Sequence, residues 1–352
     1  MITIIGAGPI GCYSAYKLAA DGHKVQIYDS KGIIGKPVQC TGLLTSQALK
    51  LVHIDKDCIL NKIKIARLHA PNGKFIDIDM KKENIVIDRS KFDKNLAELA
   101  QSQGVEIFLK HKFESFVKGK AKINNKLIKP EWLIGADGPN SQVAKSSSLF
   151  TNRKILVGNQ VRAEMKIEDS KIMNIYLGLG CFAWSVPESE KVSRLGVVSY
   201  NHNNGLLQRL IRQTNAKILE HQGGLIPLYN PKQKLRNKNV LLIGDAATQV
   251  KPTTFGGIVP ALLAAKEIDK LENYEKSCNK KVKKDLVLGL KIRKAMDKFN
   301  AKDYNELVDI FSKGKPKEII ETYDRDFPST FILKLMFAKP KLLKFSWKAF
   351  WA

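Results

Sequence analysis

Short unbroken apolar runs alternate with stretches of helical period along the first half of the chain. Met1–Ile5 is the first such run and reads as a strand buried on both faces. Lys24–Tyr28, Trp132–Gly135 and Asn239–Ile243 repeat the pattern. Between them, Pro9–Ala20 predicts a helix closed by Asp21-Gly22. Asp88-Arg89-Ser90, with Asp93 three positions after Ser90, predicts a capped helix start running to Gln103. A second set of segments reads as antiparallel. Lys62–His69 and Lys74–Met80 flank Pro71-Asn72-Gly73 as a hairpin, and Ile155–Ile167, Lys171–Leu177, Phe182–Val186 and Val192–Tyr200 are further strands. Gly257–Leu271 is an alanine-rich helix, and from Glu272 onward the pattern is helical, charged and poor in motifs.

Two glycine-rich segments give these elements a purpose. Gly6-Ala7-Gly8-Pro9-Ile10-Gly11 follows the first strand. Gly6 makes the tight turn, Gly8 lets a pyrophosphate approach the backbone, and Gly11 lets the helix pack close to the strand. The helix N-terminus, with free N–H groups and the positive end of its dipole, then faces the phosphates. Asp29, about 20 residues on at the end of the second strand, suits a ribose hydroxyl. The second segment is Gly244-Asp245-Ala246-Ala247, followed by Pro252 and Phe255-Gly256-Gly257-Ile258. Asp245 at a strand end suits a ribityl chain or, alternatively, an N-cap. The helix from Gly257 can face the edge of a flavin that turns negative on reduction. One segment alone indicates a dinucleotide; the pair indicates FAD. A third strand end, Asp137-Gly138, lies between them, and Arg89 is either a ligand of the cofactor or a surface arginine. The expected fold is α/β: a Rossmann-like FAD-binding domain, discontinuous over 1–60, 84–150 and 236–272. An antiparallel-sheet substrate domain over 61–83 and 151–235 is inserted into it and forms one wall of a cleft, and a C-terminal helical region covers 273–352.

With these segments in hand, the chain resembles flavoproteins of the p-hydroxybenzoate hydroxylase fold and, more narrowly, the geranylgeranyl reductase family. GAGPIG, IGADG and GDAA…FGGI are shared with the wider fold. Gly35-Lys36-Pro37-Val38-Gln39-Cys40-Thr41-Gly42 matches the family's Pro-x-x-Cys-x-Gly stretch beside the flavin ring. Phe182-Ala183-Trp184-Ser185-Val186-Pro187 is similar to its Tyr-x-Trp-x-Phe-Pro motif, which lines the prenyl tunnel, with Phe for Tyr and Val for Phe. Asp88-Arg89-Ser90-Lys91-Phe92-Asp93 fits its Asp/Glu-Arg-x-x-Phe-Asp, and Phe255-Gly256-Gly257 stands where the family has a glycine triplet. The resemblance implies FAD held by Gly6, Ala7, Gly8, Pro9, Gly11, Asp29, Cys40, Thr41, Gly42, Arg89, Asp137, Gly138, Asp245, Pro252, Gly256, Gly257 and Ile258. It further implies a prenyl chain against Phe182, Trp184 and Pro187, and hydride transfer from reduced flavin to an alkene. Cys40 is the candidate for supplying the proton or for shaping the site as a small packed thiol.

Charge and cysteine usage bear on partners. The 352 residues carry 59 Lys and Arg against 34 Asp and Glu, a net charge of +25. That excess reads as a lysine-biased surface, as attraction to anionic lipid headgroups, or as a dock for an acidic electron donor such as reduced ferredoxin. No recognised nucleic-acid motif accompanies it. Lacking a second dinucleotide fingerprint, the chain would bind NAD(P)H as an external donor only transiently. Five cysteines show no metal spacing. The first strand starts at residue two and no apolar run reaches the ~18–20 residues of a transmembrane helix. The expected location is cytoplasmic, peripheral on the membrane face. At the C-terminus, Lys341, Lys344 and Lys348 recur on one helical face and Leu343, Trp347, Phe350 and Trp351 on the other, which reads as an interfacial helix or as a helix docked on the protein's own core. The alternatives to a prenyl reductase are a monooxygenase on the same fold and an electron-carrying, membrane-bound flavoprotein.

Overall fold

The computed structural model describes residues 1–201 and 204–350. Ile2–Ile5, buried at every position, lies near the centre of a six-stranded sheet. In spatial order the sheet runs Arg236–Asn237, Val240–Leu242, Trp132–Gly135, Ile2–Ile5, Val25–Tyr28 and Glu106–Phe108. Its neighbours are parallel apart from the first pair. Helix Pro9–Ala20 follows the first strand and packs against helix Arg89–Ser102, whose start is capped by the Asp88 carboxylate accepting from Ser90 N at 2.9 Å and Lys91 N at 3.1 Å. The sequence expectation holds for both helices. It overruns at Gly257–Leu271, where the helix spans Ile258–Ala265. After Ala265 the amides of Glu267 and Ile268 bond three residues back, to Ala264 and Ala265, so the last turn tightens and the helix stops.

A second sheet has eight strands: Lys217–Pro227, Ile155–Glu164, Val192–Ser199, Phe182–Pro187, Ile172–Tyr176, Ile59–His69, Phe75–Ile87 and Leu43–Leu44. All neighbours are antiparallel except Ile172–Tyr176 with Ile59–His69. The hairpin turns at Pro71-Asn72-Gly73, and its second arm continues through residues 84–87 in this sheet. Several elements had no sequence signal, among them the separate three-stranded sheet of Phe113–Val117, Lys120–Ile123 and Lys126–Ile128. Edge strand Lys217–Pro227 is mostly exposed and mixes apolar with polar residues, and helix Asn204–Thr214 was not anticipated. That helix covers one face of the sheet, where Val161, Ala163, Ala183, Leu195 and Val197 pack with Leu207, Leu210 and Ile211. The strand period of two sends the alternate residues, Trp184, Val186, Val198 and Met173, to the other face.

The C-terminal helices close that second face. Ala301–Phe311 and Lys315–Thr322 lie against Phe75–Ile87. Tyr274–Met296 touches both Ile258–Ala265 and Leu343–Phe350, so the helical region joins the two sheets. Of the two readings of the C-terminal segment, the described residues favour docking on the protein itself. Lys341 and Lys344 pair with Glu306, Lys348 pairs with Asp303 at 2.6 Å, and Phe345 is buried against Phe299 with ring centroids 5.0 Å apart. Helix Ala301–Phe311 presents the acids that these lysines pair with. Trp351 and the side chains of Trp347 and Phe350 lie outside the described residues. No helix among the described residues is long and apolar enough to cross a membrane.

Candidate active site

One cavity of about 1590 Å³ runs from the glycine turn of the first sheet to the inner face of the second. At its nucleotide end, Gly6 has φ +108, and an added Cβ would sit 2.4 Å from the Ala136 carbonyl oxygen. At Gly11 an added Cβ would meet the Gly6 carbonyl oxygen at 1.9 Å. Those two glycines are fixed by packing. Gly8 differs: a Cβ there meets nothing within 4 Å, and Gly8 is the N-cap of Pro9–Ala20 with no side-chain cap. Open space over a bare helix N-terminus is what a pyrophosphate requires. Asp29 borders the cavity, and its carboxylate accepts from Ala7 N at 2.7 Å and Lys31 N at 2.8 Å, leaving lone pairs for a ribose hydroxyl.

Asp137 borders the cavity as well, and its carboxylate accepts from Ser141 Oγ at 2.6 Å, Gln142 N at 2.7 Å and Val143 N at 3.1 Å, so it also secures the start of helix Gln142–Ser146. Gly138 beside it, with φ +79 and nothing within 4 Å of an added Cβ, leaves the room. Asp245 borders the cavity, and burial lifts its carboxyl to about 6, against the pull of Arg89 and Arg153. Arg153, which sequence reasoning missed, donates to the carbonyls of Asp245 at 3.3 Å and Ala246 at 3.1 Å and so fixes that strand end. Pro252 is a correction. It is absent from the cavity wall, being buried against helix Tyr274–Met296, where a Cβ on Gly289 would come within 3.1 Å of its ring.

The loop carrying Cys40, Thr41 and Gly42 stands where the two arms of the cavity meet. Arg89 is not a surface residue: its guanidinium forms a two-pronged pair with Asp93, both contacts 3.0 Å, and reaches Cys40. Burial alone would lower the guanidinium, but Asp93 and Cys40 outweigh it and hold it charged. The Cys40 sulfur accepts from Gly42 N at 3.2 Å. Gly42, with φ +70, is hemmed in by Arg194 Nη1 at 2.5 Å and the Ile87 carbonyl oxygen at 2.6 Å from an added Cβ. Arg194, 4% exposed, donates to the Thr41 carbonyl and to Glu188 Oε1 at 2.5 Å, tying the loop to the sheet. Across the junction lie Gly256, Gly257 and Ile258. Lys251 stands beside Gly256 and pairs with Asp326, which also accepts from Thr45. Burial alone would raise the Asp326 carboxyl; Lys251 and Thr45 overcome it and hold it below the usual range.

Beyond the junction the walls are apolar. Met173, Ile175, Phe182, Trp184 and Val186 come from the sheet, and Ala295, Phe299, Val308, Phe311 and Leu335 from the helices. Trp184 stands over Gly196, where a Cβ would fall 2.1 Å from its ring, and donates from Nε1 to Gln160 Oε1 at 3.1 Å. Thr41 Oγ1 donates to the same oxygen at 2.7 Å. Pro187 is a second correction: strand parity puts it on the opposite face from Phe182, Trp184 and Val186, and it does not border the cavity. Cys12, Cys58, Cys181 and Cys278 are buried free thiols, and no metal-binding cluster occurs among the described residues.

A model described as an NAD(P)-binding Rossmann-like domain matches residues 4–41. Digeranylgeranylglycerophospholipid reductase of Methanococcus aeolicus is 29% identical, over 88% of this chain and 89% of that one. The enzyme of the same name from Methanosarcina acetivorans is 28% identical, over 89% of each. Among solved structures, a geranylgeranyl bacteriochlorophyll reductase-like protein from Thermoplasma acidophilum superposes with a TM-score of 0.87 at 23% identity, covering 97% of each chain. The chain is similar to these reductases over most of its length. Its residues fit FAD: the bare cradle at Gly8, the clear space at Gly138 and the acid at Asp245 line one arm of a single cavity. FAD would be held by residues that line this arm, Gly6–Gly11, Asp29, Arg89, Gly138, Asp245 and Gly256–Ile258, with the Cys40–Gly42 loop beside it.

Proposed function

We propose that the protein is an FAD-dependent reductase that saturates carbon–carbon double bonds of geranylgeranyl chains in membrane lipids or their precursors. The observation that carries this reading is the continuity of the cavity, charged at Arg89 and Asp245 at one end and walled at the other by apolar side chains such as Phe182, Trp184, Val186 and Leu335. Bound FAD supplies hydride chemistry, recharged by an external donor, either reduced ferredoxin or NAD(P)H. An isolated alkene is a weak electrophile, so placement and dryness carry most of the acceleration. Phe182, Trp184 and Val186 hold the chain and exclude water. The Cys40 thiol, at the junction, gives its proton to the alkene carbon that does not receive hydride and regains one from solvent. Arg89, already committed to Asp93, sits close enough to stabilise the sulfur once the proton has left.

Contact with anionic membranes belongs to the same reading, through a different element from the one the sequence suggested. On helix Ile332–Ala338, Leu333 is 63% and Phe337 84% exposed, one turn apart on the outer face, while Leu335 is buried. Leu333 also borders the cavity, so the apolar chamber opens beside this pair. Exposed Lys291 and Lys294 border it too, and they match anionic headgroups. Anaerobic reduction with dithionite in the presence of geranylgeranyl glycerol lipids tests the function. Mass spectrometry should find one added dihydrogen equivalent per double bond; unchanged lipid in the presence of fully reduced flavin refutes it.

A further inference from the structure

Phe255 adopts a backbone conformation that aromatic residues avoid. Its φ is +56, in the left-handed region favoured by glycine. The turn that imposes this is closed at both ends, with Phe255 N donating to the Lys251 carbonyl at 2.8 Å and Lys251 N donating to the Gly256 carbonyl at 3.2 Å. Such strain persists only where the surroundings over-determine it, and it clusters at functional sites. Here the surroundings are aromatic and cationic. The Phe255 ring stacks on Phe182 at 5.8 Å and 11°, and Phe182 in turn leans on Trp184 at 5.8 Å and 54°. The buried Arg293 guanidinium lies 5.8 Å from the Phe255 ring centroid.

The strained residue therefore does something its glycine neighbours do not. Gly256 and Gly257 stay with the cofactor arm, whereas the Phe255 ring joins the sheet-face cluster of Met173, Trp184, Val186 and Val198. Its side chain thus enters the apolar part of the cavity from the cofactor loop.

We propose that Phe255, stacked on Phe182, is a specificity-determining gate that fixes how far a prenyl chain advances, and hence which of its double bonds are reduced. The proposal rests on the reductase reading above, and the experiment separates the two. Dithionite-reduced holoenzyme is given geranyl, farnesyl and geranylgeranyl glycerol ethers, and kcat/KM and the number of bonds saturated are recorded for each. In a second arm without turnover, fully saturated ethers of the same three lengths are titrated into oxidised holoenzyme and followed through the flavin absorbance. Phe255→Gly suits the backbone and removes the ring. It should change the ratio of kcat/KM between shortest and longest chains about tenfold or more, the scale on which apolar pockets discriminate, and shift the saturation pattern. Phe182→Leu leaves the loop sequence intact, serves if the first variant loses FAD, and should move both arms in the same direction. A uniform loss across all lengths in both arms, with an unaltered saturation pattern, overturns the gate. If the wild type reduces none of the lipids yet binds the saturated ethers with a length preference that Phe255→Gly abolishes, the gate stands and the reductase reading falls.

Discussion

Asp245 offers a quantitative test of how the cofactor arm is built. Its carboxyl moves from an ordinary 3.8 to about 6 because burial penalises the charge, and Arg89 and Arg153 only partly offset the penalty. Between those values the folded protein binds a proton that the unfolded chain does not. Stability from this group therefore falls as pH rises through the window, with the full cost present above about pH 6 and none below about pH 4. The displacement corresponds to about 3 kcal/mol. Asp245→Asn keeps the shape and removes the charge. In urea unfolding of FAD-free protein, the variant should match wild type near pH 4 and exceed it by about 2–3 kcal/mol near pH 8. With FAD present the order should reverse in one respect: the variant should release cofactor more readily, because the carboxylate is the stronger acceptor for ribityl hydroxyls. A stability difference that does not vary with pH, or a variant less stable than wild type near pH 8, would refute the account of a buried, unfavourably placed carboxylate.

Other outcomes follow from the same geometry. Asp326→Asn strands the Lys251 ammonium, 12% exposed, and should cost about 3–5 kcal/mol in denaturant unfolding; a loss below about 1 kcal/mol would mean that Lys251 finds water. Gly196→Ala drives a Cβ into the Trp184 ring and should cost about 1–3 kcal/mol while shifting the tryptophan emission. Cys40→Ala should retain FAD and its reduction by dithionite but slow prenyl reduction by ~10²–10⁴-fold if the thiol is the acid, and a change under about tenfold leaves Cys40 a packing role. Replacing both Leu333 and Phe337 with Glu should weaken sedimentation with anionic vesicles and leave the flavin spectrum intact, whereas equal vesicle binding by both proteins removes this helix from the membrane reading.

Local chemistry was legible in the sequence, and chemistry assembled across the chain was not. Gly6, Gly8 and Gly11 were readable because the turn, the close approach and the following helix fall within six residues. The partners of Arg89 were half readable, since Asp93 is one helical turn away, while Cys40 lies on a separate loop. Pro187 misled for a definite reason: a motif residue an odd number of positions along a strand faces away from its fellows. Asp326 had no signal: it lies 281 residues from Thr45 and 75 from Lys251, and only the return of the C-terminal helices over the larger sheet joins them. Arg194 and Gln160 look like ordinary polar strand residues until the Cys40–Gly42 loop descends on them.

That loop also ties polar groups at the junction to the sheet. Gln160 Oε1 accepts from both Thr41 Oγ1 and Trp184 Nε1, which fills its two lone pairs. Gln160 Nε2 donates to Gln222 Oε1 at 2.5 Å, and Gln222 Nε2 donates to Glu220 Oε2 at 3.1 Å, at the exposed sheet edge. The indole and hydroxyl donors nearest the apolar arm are therefore satisfied by protein, and the chain of bonds leads outward, away from the chamber. A donor left without a partner there would hold a water beside the alkene. Once these donors are satisfied, Trp184 presents only its ring to the apolar arm of the cavity.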